Sequence, residues 1–597
     1  MQSLRDPAVR TAAVGALLWA LAVVVAGTVA VLDLPAVGLL AVLAIYVGDA
    51  LVQAGDPRVA AWLADREMAP LQRAMLRDAV AVLAWLLATA PPAPVVTLVV
   101  LTVLAVPAAH LGYRVLTSHH ASVRRGRIAW RNLDVDGERE GPLRLPPILP
   151  AIGPLRGRVV LLASDVFVVL GLWGVVAGAG DVVLVVGAVL TLLALLACLA
   201  AGVRRSLAVR HLPSARQDNA RLRTALEEYA PEVVVYFSGP VGTTYQLNVW
   251  LEALERVRRR VLVVIRERHH LEDLLPSTLP LVVTTSATQV EYVHTDSVLV
   301  ALYPTTVIRN NHMIRLPGVR HVFINHGDGD KAVTYSPLHR VFDEIWVAGQ
   351  AACDRYLTKG EGVRPDQLLV VGRPQLAHVA LRPAQPATDQ VTVLYAPTWE
   401  GNFDDVDYSS VASMGVELVR ELLRAEPPIR VLFKPHPATG NRRSDAAAGR
   451  AQVTEMVRRS PRGVLVGPGP EALYDAFNTC DVLVADVSSV VADFLASRKP
   501  YVVTNPRGLD PETMQHDFPS TSGGPLLARG SGRVVEEVRA AVTTDPLRER
   551  RERLATYFLG EPSADPVGVF ADEVDAACLR AAARHDHALQ AGREGAR

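Results

Sequence analysis

Before residue 205 the chain runs through six stretches that are apolar enough to lie in or across a bilayer: residues 12–32, 36–52, 78–92, 94–111, 159–179 and 182–203. A run of about 20 apolar residues can satisfy its backbone in lipid only as a helix, so an all-α transmembrane domain of about six helices is predicted over residues 1–210. A cleavable signal peptide is a poor account of the first run, because a second follows at once and no small-residue cleavage site stands out. The third is short, enters past Arg77 and Asp78 and stops at Pro91-Pro92, which suits a tilted span or an interfacial helix. Connections at Asp33, 89–94 and 178–181 carry no Lys or Arg. The others carry Arg58, Arg66, Arg73 and Arg77, then Arg114, Arg124, Arg125, Arg127 and Arg131, then Arg204, Arg205 and Arg210. The positive-inside rule then predicts a multi-pass protein of the cell membrane with both termini and the C-terminal half in the cytoplasm. Asp49 and Asp165 are the ionisable residues inside the runs, both near ends, so an anchor is favoured over a transport pathway. The arginine-rich loop 112–158, with Trp130, reads as an amphipathic segment against anionic head groups or as a solvated loop.

After residue 210 short β-branched runs alternate with helical stretches: 232–237, 261–265, 281–284, 297–302, 321–325 and 344–347. That is the pattern of buried parallel strands, and it predicts a Rossmann-like α/β domain over residues 211–382. Residues 383–390 lack periodicity and carry two prolines, as a linker would. The pattern then restarts at 392–395, 430–433, 464–466, 482–485 and 501–504, predicting a second such domain over residues 391–560, followed by a helical tail at 561–597 that packs back across the domains. Two open sheets leave a cleft at the carboxyl ends of their strands, where ligands bind. The 61 basic and 61 acidic residues cancel, so charge gives no reason to expect nucleic acid. Four distant cysteines with no Cys-x-x-Cys pair indicate neither a zinc site nor a disulfide framework.

Four strand ends are followed at once by residues able to hold phosphate or move a proton. They are His326-Gly327-Asp328-Gly329-Asp330-Lys331, Ala396-Pro397-Thr398-Trp399, Lys434-Pro435-His436-Pro437 and Asp486-Val487-Ser488-Ser489. Taken singly each has an ordinary structural explanation: a turn histidine, a loop made rigid by prolines, a helix N-cap. The turn Ser238-Gly239-Pro240-Val241-Gly242 before a helix could likewise hold an acceptor or merely join strand to helix.

In order and wording the four together resemble the CDP-glycerol glycerophosphotransferase family, the teichoic acid polymerases and primases, over residues 232–575. The resemblance implies a GT-B fold, two Rossmann-like domains facing across a cleft, and a CDP-activated donor such as CDP-glycerol or a related CDP-alditol held by the second domain. By position, His326 matches the family's base toward the acceptor hydroxyl and His436 a second essential histidine near the donor pyrophosphate. Ser488 and Ser489 match the pyrophosphate cradle; Asp486 is expected to orient that turn or contact the donor, and Thr398 and Lys434 are further phosphate ligands. The implied reaction moves glycerol phosphate to a lipid-linked phosphate acceptor or polymer at the membrane and releases CMP, with no cofactor and no structural metal. Where many members carry Thr-Pro after His-Gly, this chain has Asp328-Gly329-Asp330-Lys331, so these residues and Gly327 are expected on the acceptor side. Asp328 and Asp330 could alternatively bind a cation, and Arg442 and Arg443 could meet acceptor phosphates. The alternatives are a nucleotide-sugar glycosyltransferase on the same fold and a non-catalytic membrane assembly or export component that binds nucleotide.

Overall fold

The computed structural model describes residues 7–31, 41, 44–49, 51–52, 57–89, 91–141, 181–209, 214–331, 335–381, 390–401 and 404–594. They divide into two compact units, Met1–Arg127 with Arg144–Arg216, and Ile128–Leu143 with Gln217–Arg597.

The first unit contains the helices Pro7–Val31, Pro57–Ala64, Pro70–Thr89, Ala93–Arg125 and Asp181–Val209. About six spans were expected; among the described residues two stretches, Ala93–Leu116 and Val185–Arg204, are long and apolar enough to cross a membrane, and Ala13–Val25 is apolar but shorter. Pro70–Thr89 falls short because Arg73, Arg77 and Asp78 sit in its first half. The expected span 159–179, with Asp165, lies outside the described residues, as does part of 36–52. Asp49 is buried against Arg73, which reaches its carboxylate at 2.6 Å and also donates to the Met68 carbonyl at 2.6 Å. Arg77 meets Asp78 at 3.1 Å. Removing one member of such a buried set leaves an uncompensated charge in apolar surroundings.

The second unit holds two sheets. The first is built from β1 (Ala129–Val135), β2 (Glu138–Gly141), β3 (Val233–Phe237), β4 (Val261–Ile265), β5 (Leu281–Val283), β6 (Val300–Tyr303), β7 (Arg320–Phe323), β8 (Glu344–Val347) and β9 (Leu368–Val370), in the order β2-β1-β5-β4-β3-β6-β7-β8-β9. The second contains β10 (Val391–Ala396), β11 (Ile429–Phe433), β12 (Gly463–Leu465), β13 (Val482–Ala485), β14 (Tyr501–Asn505) and β15 (Leu526–Ala528), in the order β12-β11-β10-β13-β14-β15. From β3 to β15 every pairing within a sheet is parallel. The strand order reverses at β3/β6 and at β10/β13, the two places where an open parallel sheet leaves a crevice beyond its strand ends. This is the GT-B-like α/β arrangement expected.

Each sheet is covered on both faces. Val233, Val235 and Phe237 enter one core while Val234 and Tyr236 enter the other, as the period of two requires. The helix Pro566–Glu594 completes the first sheet's core with Val567, Phe570, Ala571, Val574, Ala577, Cys578 and Ala581, an i, i+3, i+4 stripe. Arg259 and Arg580 tie it down through Asp575 at 2.8 Å and Glu344 at 2.9 Å. Cys353, Cys480 and Cys578 are buried free thiols, and Cys198 is half-buried.

The lipid-facing or solvated alternatives for the loop around Trp130 are corrected. Residues 129–141 form an antiparallel hairpin whose first strand pairs with β5, Trp130 against Val282. Trp130 is 1% exposed, because β5 would otherwise end the sheet with unpaired backbone and the apolar positions of β1 cover the core at that edge.

Candidate active site

On the second domain the site starts at the reversal point. Ala396 and Ala485 are paired neighbours, so the loops after β10 and β13 leave the sheet side by side. Asp486 joins them. Its carboxylate is fully buried and accepts from the backbone N–H of Thr398 at 2.7 Å, from the N–H of Ser410 at 3.1 Å, and from the Thr504 hydroxyl. With those three donors Asp486 orients the Thr398 loop. Ser488 caps the helix Ser489–Phe494 in extended conformation, its own hydroxyl directed to the Asp486 carbonyl at 3.3 Å.

Beside β10, β11 delivers Lys434 and His436. The backbone N–H of Ala438 donates to His436 Nδ1 at 3.1 Å, so Nδ1 holds the lone pair and the ring's proton sits on Nε2. Trp399 stacks on the imidazole, 6.1 Å between centroids with planes 17° apart. Glu400 supports the same loop from beneath: fully buried, it accepts from the N–H groups of Gly440, Arg442 and Arg443 at 3.0, 2.8 and 3.2 Å. Arg442 is engaged with Asp404 at 2.7 Å and Arg443 with Asp445 at 2.9 Å, so both guanidinium groups already have carboxylate partners.

On the first domain the strand β7 ends at Phe323, and after Ile324 the backbone of Asn325 takes a left-handed φ of 54° to start the turn that carries His326. His326 Nδ1 lies 3.2 Å from the Pro304 carbonyl. A carbonyl only accepts, so here Nδ1 bears the proton and the Nε2 lone pair is free to face Gln246 Nε2, 3.2 Å away. The two histidines therefore carry opposite tautomers. Tyr245 stands edge-on between them, 5.9 Å from each ring centroid, so those centroids are no further apart than twice that distance. Burial lowers the pKa of His326 to about 4, helped by the Arg373 charge and opposed by the Pro304 carbonyl. Burial, with Lys331 adding to it, takes His436 to about 3. Both rings are neutral at neutral pH.

The Gly-Asp-Gly-Asp-Lys run after His326 is where the two domains touch. A Cβ on Gly329 would lie 3.2 Å from the backbone N of Ser489, and one on Gly327 would lie 3.2 Å from its hydroxyl, so glycine lets this loop seat on the helix start. Arg355 clamps the loop, pairing with Asp328 and reaching Asp330 at 3.2 Å, while the Ser520 N–H donates to Asp330 at 2.8 Å. The aspartates considered as a cation site thus hold a guanidinium. Lys331 crosses to the second domain, its ammonium 3.1 Å from the Thr398 hydroxyl and over the Tyr408 ring. Burial lowers its pKa to about 8, against the pull of Asp486 and Asp407, and burial also lowers that of Lys434. Behind the loop Arg373 and Asp493 form a buried pair at 2.9 Å across the domains.

The structure thus gathers His326, Gly327, Gly329, Lys331, Thr398, Lys434, His436, Ser488 and Ser489 around one cleft, with Asp486, Asp328 and Asp330 serving as its supports. Tyr245, Gln246, Arg355 and Glu400 were not singled out from sequence. They sit on helix faces or inside loops, where neither spacing nor strand ends mark them.

Residues 378–507 match the family described as CDP-Glycerol:Poly(glycerophosphate) glycerophosphotransferase. The match covers the Thr398, Lys434, His436, Asp486 and Ser488 segments and stops short of the His326 loop. It supports the CDP-glycerol glycerophosphotransferase family and indicates a glycerophosphotransferase enzyme. No curated protein matches the chain by sequence. Among solved structures, the wall teichoic acid polymerase TagF is similar at 13% identity and TM-score 0.39, over 61% of this chain and 94% of that one. The S. aureus MnaA–UDP co-structure is similar at 12% identity and TM-score 0.37, over 57% and 94%. UDP-GlcNAc 2-epimerase from Methanocaldococcus jannaschii is similar at 12% identity and TM-score 0.34, over 55% and 99%.

Proposed function

We propose that the chain transfers glycerol phosphate, or a related polyol phosphate, from CDP-glycerol or a similar CDP-alditol to the hydroxyl of a lipid-linked or polymer acceptor, in synthesis of a teichoic-acid-like envelope polymer. The single observation that carries this reading is that His326 Nδ1 faces a backbone carbonyl while His436 Nδ1 faces a backbone N–H, contacts that assign an Nε2 lone pair to one ring and an Nε2–H to the other. His326 Nε2 takes the acceptor's proton as its oxygen attacks the donor's β-phosphorus. The new O–P bond forms while the P–O bond to CMP breaks, and the electron pair leaves on the CMP phosphate, where His436 Nε2–H donates. Lys331, Lys434, Thr398 and the backbone at Ser488 and Ser489 are assigned to the donor phosphates, whose charge in a part-buried site needs fixed cations and N–H dipoles. Assigning Lys331 to the donor departs from the acceptor-side expectation, because its ammonium lies on the Thr398 loop. Membrane attachment with the catalytic half on the cytoplasmic face is supported by the two apolar helices and by the arginine-rich connections around them.

The test is incubation of the full chain in detergent or vesicles with labelled CDP-glycerol and a lipid-phosphate acceptor. CMP release with label passing to the acceptor is expected. Turnover of UDP-sugars in its place would move the protein to the glycosyltransferases. Nucleotide binding without any turnover would make it an assembly component.

A further inference from the structure

We infer that Gln246 is the positioning residue for His326, holding the Nε2 lone pair on the line along which the acceptor hydroxyl arrives. The inference rests on His326 being the base. Gln246 lies in the first turn of the helix Tyr245–Glu255, which follows the Ser238–Gly242 turn. Trp250, one helical turn further on the same face, donates its indole N–H to the Asn325 carbonyl at 2.6 Å. Two side chains four residues apart therefore grip two successive residues of the base loop. The helix start is itself fixed: Thr244 Oγ1 meets buried His270 Nδ1 at 2.9 Å, and His270 Nε2 meets the Gly239 carbonyl at 3.0 Å. Asn325 locks the turn by accepting the His326 N–H at 2.8 Å.

An amide N–H pairs with a lone pair and not with a protonated Nε2, so Gln246 favours the neutral ring and marks the place a substrate hydroxyl takes over. Around the imidazole stand the Pro304 carbonyl, the Tyr245 ring edge, the Arg373 charge and, beyond Tyr245, His436. None of these supplies a carboxylate that would hold the ring protonated. A glutamate at position 246 would do so, since it offers Nε2 an acceptor in nearly the same volume.

The test compares the full-length wild type with Gln246→Glu and Gln246→Leu in two measurements. One is carbethoxylation of His326 by diethyl pyrocarbonate as a function of pH, quantified by mass spectrometry of its peptide. The other is the kcat and KM of CMP release. In Gln246→Glu the midpoint of His326 modification is expected to rise by roughly one pH unit or more, as a carboxylate beside an imidazole does. In Gln246→Leu modification at pH 7 is expected to speed up several-fold as the lone pair is uncovered, while kcat falls about tenfold with the donor KM unchanged. An unmoved midpoint in Gln246→Glu, or kcat in Gln246→Leu within about twofold of wild type, overturns the assignment. The modification readout needs no turnover, so it judges Gln246 even where the proposed reaction itself is not found.

Discussion

Lys331 Nζ lies 3.1 Å from Thr398 Oγ1, which seats a cation from the first domain on a loop of the second. With its pKa lowered to about 8, this ammonium begins to lose its charge just above neutral pH. The kcat/KM for CDP-glycerol reports free-enzyme groups, so it is expected to fall as pH rises through about 8. Lys331→Arg, which stays protonated, should remove that alkaline limb, and Lys331→Met should weaken donor binding about tenfold or more at pH 7. Donor titrations across pH in the three proteins check this, and an alkaline limb unchanged in Lys331→Arg would assign it elsewhere.

His326→Ala is expected to lower CMP release by about 10²–10⁴-fold, the usual contribution of a positioned base. His436→Ala should fall in the same range while CDP-glycerol binding, followed by calorimetry, persists. Near-normal turnover in His326→Ala would remove the proposed base.

Acid should destabilise the second unit. Burial lowers His321, His326 and His339 to about 4 and His436 to about 3 in the native state. Unfolded histidines titrate near 6.5, so between that pH and about 4 the unfolded chain binds protons that the native chain refuses, and stability falls with pH. Each contributes up to about 1.4 kcal/mol per pH unit across the window, with no further loss once pH is below both values. Thermal melts from pH 7.5 to 4.5 should show Tm dropping steeply below about 6.5, and replacing buried His339 with Gln should flatten that drop.

Arg355→Met strips the guanidinium from Asp328 and from Asp330, which is 3% exposed. A carboxylate left buried without its partner costs about 3–5 kcal/mol. The fall in denaturation midpoint should be partly rescued in the double variant Arg355→Met with Asp330→Asn, and additivity of the two changes would show that they do not form one unit.

How much of this could be read from the chain depended on where the signal lay. The long central strands coincide with β-branched runs that are buried on both faces and declare themselves in composition. The short edges do not: Leu368–Val370, Leu526–Ala528 and the hairpin 129–141 are strands because a neighbouring edge is open to them. Strand ends followed by His, Lys or Ser exposed the candidate site, since chemistry and topology coincide there. Gln246, Arg355 and Glu400 act through partners distant in sequence, so each looks like an ordinary polar residue of its own segment. In the first unit two of the expected runs stand among the described residues as helices long and apolar enough to cross a membrane, the run at 78–92 belongs to a helix that carries Arg73, Arg77 and Asp78, and the run at 159–179 lies outside the described residues.

The hairpin at residues 129–141 also has a consequence for where the α/β body begins. Its two strands belong to the same compact unit as the sheets after residue 217, so that body is discontinuous in sequence. A fragment cut to start at residue 211 would leave β5 with an open edge and its core without the apolar face of β1, a template for pairing with other chains.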